Sequence, residues 1–190
     1  MDTLLGRTKP KQSNLDALFG LTSAAVTLEA RLGLRSTGEA AVSYKPASGA
    51  GFSATGDELA ELVRFGAQQS ESELRVSDDT FGYRWIALAD PDLEDLVTTI
   101  HLANSTLESR GFGTQLLCSV FGFAGESGER PCHLVYLYKR GTFYPFAPRD
   151  GQRRDNEVEL QVRSALADEL PIEQDLTRWF ALWGLPLGAT

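Results

Sequence analysis

Two neighbouring runs, QLLCSVFGF at 115–123 and CHLVYLY at 132–138, are apolar at odd and even positions alike, with GESGE at 125–129 between them. A strand with one wet face alternates apolar and polar residues, so a strand without that alternation needs cover on both faces. The pair predicts a hairpin, Thr114–Phe123 with Cys132–Lys139, at the centre of a sheet. A turn centred between Ser127 and Gly128 sets Phe123 opposite Cys132 and Cys118 opposite Leu137.

The rest of the chain supplies partners for that hairpin. Glu39–Lys45 reads as a strand closed by Pro46, and Glu73–Ser77 with Tyr83–Ala89 as a hairpin joined by DDTFG. Thr142–Phe146 is a further short strand, ended by Pro148. Asn14 is placed to cap a helix with Leu15, Leu18 and Phe19 on one stripe; a second stripe, Ala24, Ala25, Leu28 and Leu32, has Thr22 or Ser23 as its own cap and stops at Gly33. Asp57 caps a helix carrying Leu59, Leu62 and Val63, after a Gly/Ser-rich loop over 47–56.

Asp90-Pro91 opens the clearest helix, with acids at Asp92, Glu94 and Asp95 and an end at Arg110-Gly111. Within it Asn104 falls near the apolar stripe, where a buried amide needs a partner, and a loop backbone is the expected one. The last helix covers about Asp155–Leu170, with Val158, Val162, Ala165 and Leu166 inward and Pro171 as its stop. An aromatic tail, about 175–190, carries Trp179, Phe180 and Trp183 and is expected to dock back on the body.

This order predicts an α+β fold: a mainly antiparallel sheet of about five to six strands with helices packed on one face. By analogy of fold alone it resembles small secretion-chaperone-like domains. Residues 1–13 stand apart as a flexible basic N-terminal segment, and 14–190 read as one domain.

The 190 residues carry a formal net charge of −8, which disfavours nucleic acid as a partner, because phosphate binding relies on an excess of Lys and Arg. Two cysteines, Cys118 and Cys132, are too few for a disulfide scaffold and sit in apolar runs. The longest near-apolar run, Leu116–Gly125, is far short of the ~20 residues that span a membrane. With no signal segment at the start, the chain reads as cytoplasmic and reduced.

Residues suited to catalysis do not assemble into a motif. His101 and His133 lack a second ligand at metal spacing, and the expected register separates Cys118 from His133. Asp78-Asp79 belongs to a turn. No phosphate-cradling glycine motif occurs. No catalytic residue, cofactor or metal is therefore expected.

The stretch YLYKRGTFYPFAP at 136–148, with Arg153 and Arg154 after it, mixes aromatic and basic residues. Either its aromatics pack within the sheet, or Tyr138, Lys139, Arg140, Phe143, Tyr144, Arg153 and Arg154 form an exposed partner-binding surface of the composition enriched at hot spots. Two other uses of the same chain are open. Lys139, Arg140, Arg153 and Arg154 could line a small-molecule pocket with His101 or Asp79. Residues 1–11 and the tail Trp179–Leu187 could touch a membrane peripherally.

Several segments together resemble a known family: NLDALF (14–19), IHLANSTLESRGFGTQLLCSVFGF (100–123), LVYLYKRGTFYPFAP (134–148), RRDNEVELQVRSALADELPIE (153–173) and RWFALWG (178–184). They resemble the PspA-associated protein PspAB family, over nearly the whole chain. That resemblance implies a role beside PspA, a coiled-coil protein that stabilises the inner face of a stressed cytoplasmic membrane. It implies no enzyme activity and assigns no catalytic residue.

Overall fold

The computed structural model describes residues 14–46 and 73–188. The expected N-terminal basic segment, the Gly/Ser-rich loop and the Asp57-capped helix lie outside the described residues. Within them a six-stranded antiparallel sheet is built from β1 (Arg35–Tyr44), β2 (Glu73–Asp78), β3 (Arg84–Ala89), β4 (Leu116–Ala124), β5 (Cys132–Leu137) and β6 (Thr142–Phe146). Their order is β2-β3-β1-β4-β5-β6, and a two-stranded ladder of β7 (Pro148–Arg149) and β8 (Arg153–Arg154) follows. The helices are α1 (Gly20–Leu32), α2 (Leu93–Ser109) and α3 (Asn156–Leu166).

The central hairpin has the expected register, with Phe123 paired to Cys132 and Cys118 to Leu137. Because side chains alternate, the strand registers draw two rows across the sheet. Ala87, Ala41, Val120, Val135 and Tyr144 share one face; Ile86, Val42, Ser119, Tyr136 and Phe143 share the other. Both rows are buried. Two-sided cover is what the apolar hairpin demanded.

Helices cover the Ser119 face. Asn104 of α2, fully buried, donates from Nδ2 to Ser119 Oγ at 3.2 Å, and Ser119 shares a further bond of 2.9 Å with the Tyr138 hydroxyl. The amide thus holds helix to strand through side chains, not to a loop backbone, and its Oδ1 has no partner among the described residues. The Tyr136 hydroxyl donates to the Asn14 carbonyl at 2.7 Å, pinning the short 3-10 turn Leu15–Phe19 to the same face.

The other face is closed by the C-terminal segment. Leaving α3, the chain runs beside β6: Phe143 N–H donates to the Pro171 carbonyl at 2.8 Å, and Glu173 N–H to the Phe143 carbonyl at 2.7 Å. The expected docking of the tail follows. Trp179 stacks near Tyr144 with centroids 6.2 Å apart, the Tyr144 hydroxyl donates to the Phe180 carbonyl at 3.0 Å, and Trp183 meets Phe146 edge-on at 5.1 Å. The strap reaches β1, where Gly188 N–H donates to Glu39 Oε1 at 2.8 Å.

Four local expectations need correction. β1 starts at Arg35 instead of Glu39, because Gly38, at φ +74°, absorbs an irregularity between Ser36 and Ala40. A Cβ there would lie 2.9 Å from the Asp90 carbonyl oxygen, so glycine lets the β3–α2 connection approach. No second cap interrupts residues 20–32: the 3-10 turn runs straight into α1, and Gly33 at φ +66° ends it. α3 stops at Leu166, short of Leu170. α2 starts after Asp90-Pro91 instead of at it: Asp92 is the cap, accepting from Glu94 N–H, and Asp90 Oδ1 accepts from Asp92 N–H just before it.

Candidate functional site

Of the expected aromatic–basic surface, the aromatic half is core. Tyr138, Phe143 and Tyr144 are 3%, 0% and 1% exposed. The reason is β6 itself: consecutive residues point to opposite faces, and here helices cover one face and the strap the other. Phe143 faces the helices beside Tyr136, 4.8 Å between ring centroids, while Tyr144 faces Trp179. Burial pushes the Tyr144 hydroxyl well above its usual range and the Tyr136 hydroxyl to about 12.

The basic half stays outside but does not converge. Lys139 is exposed in the β5–β6 turn. Arg140, beside it, pairs with the buried Glu173 carboxylate. Burial pushes that carboxyl up, but bonds from Asp175 N–H, Arg140 and Thr142 outweigh it and hold it below its ordinary value. Arg154 lies at the other end of β6, by Pro145 and Phe146. It donates to Glu159 at 2.8 Å and to the Trp179 carbonyl, and its guanidinium sits 5.3 Å from the centroid of the Phe146 ring. Arg153, next in chain, enters a different concavity. His101 pairs with Asp16 at 3.5 Å, and Asp79 accepts from Phe81 N–H, Tyr83 N–H and Trp85 Nε1. Neither joins the basic residues.

The candidate nucleophiles and bases are packing groups. Both cysteines are free and buried, and burial pushes the Cys118 thiol up to about 12 and raises Cys132 further. A thiolate nucleophile needs the opposite setting. His133 lies beside Phe146, 6.2 Å between centroids, with Nδ1 buried and without a hydrogen-bond partner among the described residues. Burial lowers its pKa to about 4, so the ring is neutral at pH 7. Among the described residues, no His/Cys/Asp/Glu group is placed to hold a metal ion, and no helix is long and apolar enough to cross a membrane. The tail residue Trp179, 7% exposed, is spent on the sheet.

What the surface does offer is an apolar groove beside the strap. A concavity of about 290 Å³ is lined by Arg154, Asn156, Glu159, Leu160, Leu176 and Trp179. Leu160 and Leu176 are 49% and 52% exposed, and Phe180 just beyond is 58% exposed. The sequence carried a signal for this. Leu160 falls outside the inward stripe Val158, Val162 and Leu166, and an apolar residue on the wet side of a helix has no packing reason to be there.

These features define an α+β domain built round an antiparallel sheet, with helices on one face, its own C-terminal strap on the other, and an apolar groove at the strap's margin. The chain belongs to the PspAB family, PspA associated protein B, whose model matches residues 1–187. The family's name marks an association with PspA. No curated protein and no solved structure matches the chain.

Proposed function

We propose that the protein is a non-catalytic accessory protein of the envelope-stress response that works by binding a PspA-like coiled-coil partner. Family membership supplies the partner, and the groove of Leu160, Leu176 and Trp179 is the observation that carries the mode of binding. A coiled-coil helix presents apolar side chains at i, i+3 and i+4 flanked by charges, and such a stripe is what an apolar groove with a charged rim accepts. Arg154 and Glu159 supply that rim. Lys139, exposed in the β5–β6 turn, acts at a distance by steering acidic stretches of the partner.

The test is a calorimetric titration of the full chain with a purified PspA-like protein. Leu160→Asp combined with Leu176→Asp should weaken binding about tenfold or more, the scale of an interface hot spot. Thermal stability should hold within about 1 kcal/mol, since both side chains are half exposed. A wild-type chain that does not bind, or a double variant that binds equally well, overturns the proposal.

A further inference from the structure

A second concavity, of about 580 Å³, is lined by Arg130, Arg149 and Arg153 together with Asp150, Asp155 and two prolines. We propose that it is a binding site for an oxyanion of the phosphate type. Three arginines from two separate segments line it on a chain whose net charge is −8, so their grouping runs against the overall composition.

The ladder geometry favours an anion at this place. Arg149 and Arg153 are paired directly across β7 and β8. Like charges in that position repel and destabilise a ladder unless something of opposite charge lies between them. Asp155 answers only one of the two. Its Oδ2 accepts from Arg149 Nε at 2.7 Å, and its Oδ1 accepts from Val158 N–H at the start of α3. Arg153 donates from Nε to the Asp150 carbonyl at 3.1 Å and, among the described residues, has no carboxylate in contact. Arg130 spends one nitrogen on the Leu32 carbonyl at 2.8 Å.

Three arginines against two aspartates leave the pocket with one net positive charge. Arginine's planar fork of five donors suits a tetrahedral oxyanion, and the backbone bonds of Arg130 and Arg153 fix two forks while leaving donors over. The ligand is therefore a phosphate group, whether free, on a soluble ester or on a lipid headgroup. Because this site shares no lining residue with the apolar groove, it operates independently of the partner-binding reading.

The experiment uses the full chain at pH 7. Calorimetry with sodium phosphate, and separately glycerol phosphate, is compared with sodium chloride at equal ionic strength; flotation compares phosphatidylcholine vesicles with and without phosphatidylglycerol. Saturable binding to phosphate or its ester, weakened about tenfold or more by Arg153→Gln, identifies a soluble ligand. Arg153-dependent flotation on phosphatidylglycerol alone identifies a headgroup. Should Arg153→Gln disturb folding, Arg130→Gln on the separate β4–β5 turn decides the matter by the same readouts. Binding that neither variant weakens, or that chloride matches, overturns the proposal.

Discussion

Replacing Arg154 by alanine tests the clamp that joins β8, α3 and the strap. The guanidinium bonds Glu159 at 2.8 Å, the Trp179 carbonyl, and the Pro145 carbonyl at 3.4 Å. Glu159 is 3% exposed and otherwise accepts one bond, from Ala147 N–H at 2.9 Å. Arg154→Ala strands a buried carboxylate on that single donor. Breaking a buried pair from one side costs ~3–5 kcal/mol. The Arg154 side chain keeps 21% of its surface in water, which places this case at the lower end, about 3 kcal/mol. For a chain of this size that is roughly 6–12 °C in melting temperature.

Glu159→Gln should be milder, about 1 kcal/mol, because the amide oxygen still accepts from Ala147 and Arg154 keeps two carbonyls. The measurement is urea unfolding at pH 7 of wild type, both single variants and the double variant. The double variant should fall short of the sum of the singles by about 1–2 kcal/mol, since the second change removes the stranded charge. An Arg154→Ala loss under about 1 kcal/mol, or a larger loss in Glu159→Gln, would refute the assignment of a buried charge pair.

Two further outcomes follow from the second face of the sheet. Tyr144→Ala should destabilise by about 3–5 kcal/mol in the same urea assay, whereas Tyr144→Phe, losing only the bond to the Phe180 carbonyl, should cost about 1 kcal/mol; equal costs would place the ring outside the core. His133 titrates near 4 when folded and near 6.5 when unfolded, so between those values the unfolded chain binds the extra proton. Its contribution is complete above pH 6.5 and is lost as pH falls toward 4, up to about 3 kcal/mol in all. His133→Phe should flatten the fall in stability over that window, and an unchanged slope would count against the buried neutral ring.

The central hairpin was legible down to its register because its signals are local. Two unbroken apolar runs and a glycine-bearing turn leave one pairing that covers Cys132 and Leu134. The α2 helix was legible for the same reason, through its acidic first turn and Gly111 at φ +85°, although its cap is Asp92 and not Asp90. The aromatic stretch was ambiguous because its cover is not local: Trp179 and Trp183 bury Tyr144 and Phe146 from more than thirty residues along the chain. The anion pocket was half visible, since Arg149 and Arg153 are neighbours in sequence, but Arg130 joins them only once β4 and β5 have turned back. Leu160, alone on the wrong side of its helix stripe, could have marked the apolar groove.

The strap also sets a timetable for the protein's making. Translation proceeds at about 5–20 residues per second, so roughly 2–7 s separate the addition of Phe146 from that of Trp183 at the peptidyl centre. α3 itself is made within that interval, and until the strap follows it the face that carries Val120, Val135 and Tyr144 has no cover from the C-terminal segment. The newborn domain is at its stickiest just before completion, and a pause in decoding between residues 146 and 183 would prolong the period in which another nascent chain or a chaperone can occupy the strap's place.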